Sequence, residues 1–252
     1  MAWWETLFDD RYARLWGPLA SPEIAQKQAD SIVAYLDLQP GDSVLDLACG
    51  YGRVAIPLAQ RGFEVTGLDL SATLLGQARA AAQEAGVQVA WHQGDMREIP
   101  WSDRFDAVIN VFSSFGYFAD EEENRRVLNS AARALRRPRP ARGRRGGRFL
   151  IDVVNRDWRV RQDIDRYWFE AGNLTVLADP WLDPVAGRAG ETWRWQEDGQ
   201  WQSLEFDVRL YTATELKALI ESAGLHRVTI YGGWEREPFG PQCHRIIAVA
   251  EQ

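Results

Sequence analysis

The chain has 252 residues, 46% of them hydrophobic and 26% charged, which is the balance of a soluble globular protein long enough to bury a substantial core. Its net charge of -7 argues against a surface that attracts nucleic acid throughout. With no apolar run long enough to span a bilayer and an acidic, amphipathic start at "MAWWETLFDDRYARLW", neither a membrane helix nor a secretory leader is expected, and the expected location is cytoplasmic.

From Trp3 to Trp16 the apolar residues recur at close to helical spacing, which predicts one amphipathic helix ending at "GP". A second helix opens at "SPE", with Ser21 as N-cap and Pro22 at the first helical position, and runs to about Asp37. Strands are then expected at Ser43–Leu47, Glu64–Leu68, Val87–Trp91, Phe105–Val111 and Arg148–Val154. Helices at Arg53–Arg61, Ala72–Ala85 and Glu121–Arg136 alternate with them. That alternation predicts right-handed βαβ units and a parallel sheet covered on both faces.

Residues 155–211 have a different texture. Aromatic, alternating runs such as "RYWFE", "ETWRWQ" and "WQSLEFDVRLY" predict an antiparallel insertion of about four strands, and "EDGQ" reads as a hairpin turn. A helix at "TATELKALIESAG" follows, then strands at Leu225–Tyr231 and Arg245–Ala250. One segment opposes the acidic average: Arg136–Arg148 carries seven arginines and no acid, and is read as a solvated loop rather than an anion-binding arm. Cys49 and Cys243 have no ligand spacing, so they read as packing residues and suggest neither a metal site nor a disulfide.

The stretch "SVLDLACGYGRVAI" joins the first strand to a helix through a glycine bend. Such a bend leaves helix N-terminal amides beside a backbone that a ligand can approach, which suits an anion or a nucleoside. No Lys-Ser or Lys-Thr pair follows the bend, so it is not a Walker A loop. The dinucleotide fingerprint matches only in part, with Ala55 at its third position, and Asp69 ends the second strand where a carboxylate can accept both ribose hydroxyls. These residues alone do not separate a nicotinamide dinucleotide from other adenosine ligands.

Asp46 inside the first strand, "GDM" at Gly94–Met96 after the third, and a closing helix, strand and antiparallel strand add to the pattern. Together the motifs "VLDLACGYGR", "VTGLDLS", "GDMREIP", "FDAVINVFSSFGYF" and "GRFLIDVVN" resemble the class I S-adenosylmethionine-dependent methyltransferases, small-molecule type, over nearly the whole chain. The resemblance implies a Rossmann-like doubly wound seven-stranded sheet, last strand antiparallel, with an inserted antiparallel β lobe. It divides the chain into a helical cap over 1–40, a cofactor-binding core over 41–154 and 212–252, and a substrate or lid lobe over 155–211.

Carried over by position, the resemblance sets the backbone of Ala48, Gly50 and Gly52 against the methionyl part and ribose of S-adenosylmethionine. Ala48 departs from the family's usual glycine. Asp69 is expected to take the ribose hydroxyls, Leu70 to flank the adenine, Asp95 to bind its amino group and Met96 to pack on its ring. Asp46 also belongs to the expected cofactor set. Asn110, Phe112 and Ser113 end the fourth strand, where the family's transferred methyl lies; Tyr12 resembles an N-terminal tyrosine that reaches the cofactor, and Arg11 is a candidate for the methionyl carboxylate.

Methyl transfer from a sulfonium needs alignment and exclusion of water, and a hydroxyl acceptor usually needs a base as well. Of the three histidines, His92 ends the third strand, His226 falls at the far end of the sheet, and His244 opens the final strand at the site's end, so His244 is the candidate base or substrate contact. Trp158, Tyr167, Trp168, Trp181, Trp193 and Trp195 are candidates for a lid or a dimer contact, half of them facing inward. A small organic acceptor is implied rather than nucleic acid or membrane, and a homodimer stays open. The alternatives are an RNA methyltransferase using the arginine loop, a nucleotide-dependent oxidoreductase and a non-catalytic adenosyl-ligand binder.

Overall fold

The computed structural model of the chain describes residues 2–16, 21–138 and 145–252. The centre of the expected arginine loop, residues 139–144, lies outside the described residues. Seven strands form the main sheet: β1 (Ser43–Leu47), β2 (Glu64–Asp69), β3 (Ala90–Gln93), β4 (Ala107–Asn110), β5 (Arg148–Val154), β10 (His226–Tyr231) and β11 (Arg245–Glu251). Their spatial order is β10-β11-β5-β4-β1-β2-β3. β1 to β5 run parallel, and β11 lies antiparallel between β5 and β10. The Rossmann-like doubly wound sheet expected from the sequence is therefore the observed fold.

All five residues of β1 and all four of β4 are buried, because helices cover both faces of the sheet. On one side pack α3 (Pro22–Leu36) and α4 (Ala55–Gln60), whose Ile32, Leu36 and Leu58 meet Val44, Ile109 and Leu150. On the other, α6 (Glu121–Ala134) and α8 (Ala213–Ser222) bring Leu128 and Ile220 against Phe149 and Ile246. α5 (Ala72–Glu84) starts behind β2 on its cap, Ser71, whose hydroxyl accepts from the Leu74 amide at 3.1 Å. Sheet order reverses between β1 and β4, which opens a crevice at their carboxyl ends.

The four-stranded antiparallel sheet comprises β6 (Tyr167–Ala171), β7 (Leu174–Asp183), β8 (Arg188–Glu197) and β9 (Gln200–Arg209), after the short α7 (Arg156–Arg159). Trp193 and Trp195, two residues apart on β8, point to one face and are buried, whereas Trp168 and Trp201 are 63% and 61% exposed. At the junction of the sheets, the Arg209 amide donates to the Gly116 carbonyl at 2.7 Å.

Three boundaries differ from expectation. The single helix expected over 3–16 is two, α1 (Trp3–Thr6) and α2 (Asp10–Trp16), because the Asp9 carboxylate takes the Arg11 amide at 2.8 Å and starts a new helix. β3 begins at Ala90 rather than Val87, as an edge strand with mostly exposed residues. β4 is shorter than expected at both ends: Phe105 makes only an isolated bridge to Leu135, and Val111 leads into the left-handed residues Phe112 and Ser113.

Candidate active site

At the end of β1 the chain turns through Ala48, Gly50 and Gly52 with φ of +55°, +55° and +83°. The left-handed conformation is free for glycine but costs a residue with a Cβ on the order of 1–2 kcal/mol, so Ala48 holds a strained version of the bend. The Gly50 amide donates to Asp69 Oδ2 at 2.7 Å and the Ser71 amide to Oδ1 at 2.8 Å. Burial pushes the Asp69 carboxyl above its ordinary pKa, opposed by the amides of Ser71, Gly50 and Leu70. The carboxylate is thus held by fixed backbone donors and keeps acceptor capacity for a ligand.

Ala48, Gly50, Asp69, Leu70, Asp95 and Met96 line one cavity at this end of the sheet. Asp95 caps the turn Met96–Glu98, and Arg97 pairs with it at 2.6 Å. Burial raises the Asp95 pKa, but the hydrogen bonds from the Arg97 side chain and amide outweigh it and hold the carboxyl below its usual range. Trp4, Phe8 and Tyr12 from the N-terminal helices roof this cavity together with Tyr117 and Phe118, and the Ser71 hydroxyl donates to the Phe8 carbonyl to hold the roof down.

Asp46 and Arg53 face a smaller adjoining cavity shared with Tyr12, Gly50 and Phe112. Burial raises the Asp46 pKa to about 7; the Arg53 charge pulls it down and Asp69 reinforces the rise. Arg53 also donates to Gln28 Oε1, and its guanidinium lies 4.7 Å from the centre of the Phe112 ring.

A third cavity lies between the two sheets. Trp3, Trp16, Trp158 and Phe206 make its aromatic walls, and its polar groups include Ser113, Arg159, Glu191, His244 and Arg245. Trp16 stacks on Trp193 with ring centres 4.2 Å apart, which ties α2 to the four-stranded sheet. His244 lies 4.3 Å from the Trp158 ring, and partial burial, reinforced by Arg245 and opposed by Asp152, lowers its pKa. It is therefore a neutral proton acceptor at pH 7. Tyr12 has its pKa pushed well above the ordinary value by burial, with Tyr117 and Tyr51 adding to it, so it stays protonated and serves as a donor rather than a base.

Three expected residues fall elsewhere. Arg11 points out to Asp9, which it meets at 2.7 Å, and lines none of these cavities; Arg53 is the arginine beside the bend. Gly52 lines none of the three cavities, and a Cβ there would come within 2.7 Å of the Trp91 ring. Asn110 is wholly buried and ties β4 to β1 through its side-chain amide, which donates to the Leu47 carbonyl at 3.1 Å. His92 packs on Trp101 at 4.9 Å, and His226 sits opposite Glu251 in the β10–β11 ladder at the far end of the sheet.

The fold is similar to that of Rossmann-like methyltransferases. Residues 44–138 match the family model described as "Methyltransferase domain". These residues therefore carry a methyltransferase domain, in keeping with the family that the sequence resembles. It is 38% identical over 107 residues to the ubiquinone biosynthesis O-methyltransferase of Alkalilimnicola ehrlichii, covering 40% of this chain and 43% of that one. It is 37% identical over 93 residues to the dTDP-3-amino-3,4,6-trideoxy-alpha-D-glucopyranose N,N-dimethyltransferase of Streptomyces venezuelae, covering 37% and 38%. The chain thus spans less than half the length of these curated relatives. Its fold is similar to that of the CcbJ methyltransferase from Streptomyces caelestis, with a TM-score of 0.76, 22% identity and coverage of 92% and 97%.

Proposed function

We propose that this chain transfers the methyl group of S-adenosylmethionine to a nitrogen or oxygen of a small organic acceptor by in-line displacement. The observation that carries this reading is Tyr12, which lines the acid-walled cavity, the Asp46 cavity and the aromatic cavity, so that ligands in the first and third meet beside its ring.

The donor set fits the adenosyl ligand. Asp69 keeps acceptor capacity for two hydroxyls, Met96 and Leu70 offer apolar surface for a purine, and Asp95 is an ionised acceptor for its amino group. Asp46 and Arg53 suit the ammonium and carboxylate of the methionyl end. S-adenosylmethionine, when bound, supplies an already activated methyl group. What is left to the chain is to orient the acceptor and exclude water, which the aromatic roof and walls do. Neutral His244 is suited to take the acceptor's proton.

In this reading residues 1–40 cap the cleft, 41–154 and 212–252 hold the cofactor, and 155–211 cover the acceptor. The amino-sugar and quinone-pathway names of the relatives support a small acceptor. Calorimetric titration with S-adenosylhomocysteine tests the reading, with NAD alongside. Micromolar binding that Asp69→Ala abolishes is expected, whereas no binding, or preference for NAD, would overturn it.

A further inference from the structure

The aromatic cavity has one wall whose polar groups are not satisfied by the protein. Arg245, at the start of β11, donates from Nε to Asp152 Oδ1 at 2.7 Å, while its Nη2 is buried with no partner among the described residues. Asp152 also accepts from the Phe112 amide through Oδ2 at 2.9 Å and from the Ser113 amide through its carbonyl at 3.0 Å. One residue that is 1% exposed therefore fixes Arg245 and Ser113 side by side. Ser113 Oγ is buried and equally unpartnered.

Arg159, at the end of α7, lines the same cavity and forms no ion pair among the described residues; its guanidinium has a long hydrogen bond of 3.4 Å to the Gln162 carbonyl. Burial lowers its pKa against the opposing pull of Glu191, the mark of a desolvated, under-compensated charge. Glu191, by contrast, already accepts from the Tyr167 hydroxyl at 2.9 Å and Trp193 Nε1 at 2.6 Å. The unmet demand in this cavity is for acceptor oxygens, and buried donors are costly to leave without them.

We infer that the methyl acceptor carries an oxyanion, a carboxylate or a phosphate, received by Arg245 Nη2, Ser113 Oγ and Arg159 while the aromatic walls take its apolar body. The inference rests on the methyltransferase reading for the word acceptor, but the anion site is defined by its own residues. Two cationic donors and a hydroxyl lining one cavity offer charge-assisted bonds that a neutral group cannot match.

The test is calorimetry on protein loaded with S-adenosylhomocysteine, using benzoate, phenyl phosphate and benzamide as probes, repeated on unloaded protein. At least one acid is expected to bind about tenfold or more tightly than the amide, which shares its ring but lacks the charge. Which acid is preferred separates a carboxylate from a phosphate. Arg159→Met, which breaks no ion pair, is expected to remove most of that preference without changing affinity for S-adenosylhomocysteine. Arg245→Lys, which keeps a cation beside Asp152, serves as the second variant, and Ser113→Ala as the third. Equal binding of acid and amide, or a preference that survives both arginine variants, would overturn the oxyanion site. Failure to bind S-adenosylhomocysteine would instead overturn the methyltransferase reading, and the acid against amide comparison on unloaded protein would still judge the anion site.

Discussion

Asp46 concentrates the electrostatics of the cleft into one side chain. It is 2% exposed, and burial lifts its pKa from an ordinary 3.8 to about 7. The folded value lies above the unfolded one, so Asp46 contributes stability that is full below about pH 4 and is lost as pH rises through about 7. Asp46→Asn cannot ionise and is expected to flatten this slope. Relative to the parent it should gain on the order of 1–3 kcal/mol at pH 8 and little at pH 4. Urea melts at the two pH values measure this, and an equal effect at both would rule it out. Asp46, Asp69 and Asp95 were legible in the sequence because each sits at a strand end or bend that the motif spacing fixes. Arg159, Glu191 and Arg245 were not, since they come from α7, β8 and β11 and meet only in three dimensions. Arg53 had a local signal, a cation directly after the glycine bend, but burial beside Asp46 is what gives it a role.

Among the elements, the sequence placed most strands and helices to within a few residues because buried β-branched runs and capped helices carry strong local patterns. It failed where one side chain decides, as with Asp9 splitting the N-terminal helix, and at the exposed edge strand β3, where little burial enforces alternation. The aromatic insertion was legible as four strands, but which tryptophans face inward depends on register. Gly190 in β8 depends on register too. It lies opposite Asp207 on β9, and a Cβ there would stand 2.2 Å from the Phe206 carbonyl oxygen and 2.7 Å from Asp207 Cβ. Backbone cannot retreat from within a ladder, so Gly190→Ala is expected to cost about 1–3 kcal/mol. Gly190 also lines the aromatic cavity and not the acid-walled one. Faster amide exchange should therefore be confined to β7, β8 and β9, with S-adenosylhomocysteine binding retained; loss of that binding would mean that the two sheets are coupled more tightly than their separate ladders imply.

At the scale of the whole molecule, charge favours the proposed small acceptor over RNA. The chain's net charge is -7, and two of the described arginines flanking residues 139–144 are engaged by its own acids: Arg136 with Asp106 at 2.5 Å, and Arg145 with Asp37 at 2.9 Å. Arg148 donates to the Leu36 carbonyl at 2.7 Å. Exposed pairs of this kind add little stability, yet each one lowers the positive potential that a phosphate backbone would meet. They also sit at the amino end of β5, whereas Tyr12, Asp69 and His244 gather at the carboxyl ends of the parallel strands. A polynucleotide held by these arginines would have to cross the length of the sheet to present a base to the cleft. RNA binding is accordingly expected to be weak and its salt dependence shallow, because few phosphates can be neutralised. Fluorescence anisotropy with a labelled single-stranded RNA at about 50 and 200 mM salt measures both. Removal of residues 139–144 should leave S-adenosylhomocysteine affinity and acid preference unchanged. Tight, steeply salt-dependent RNA binding that the deletion abolishes would transfer the proposed acceptor role from the aromatic cavity to the arginine segment.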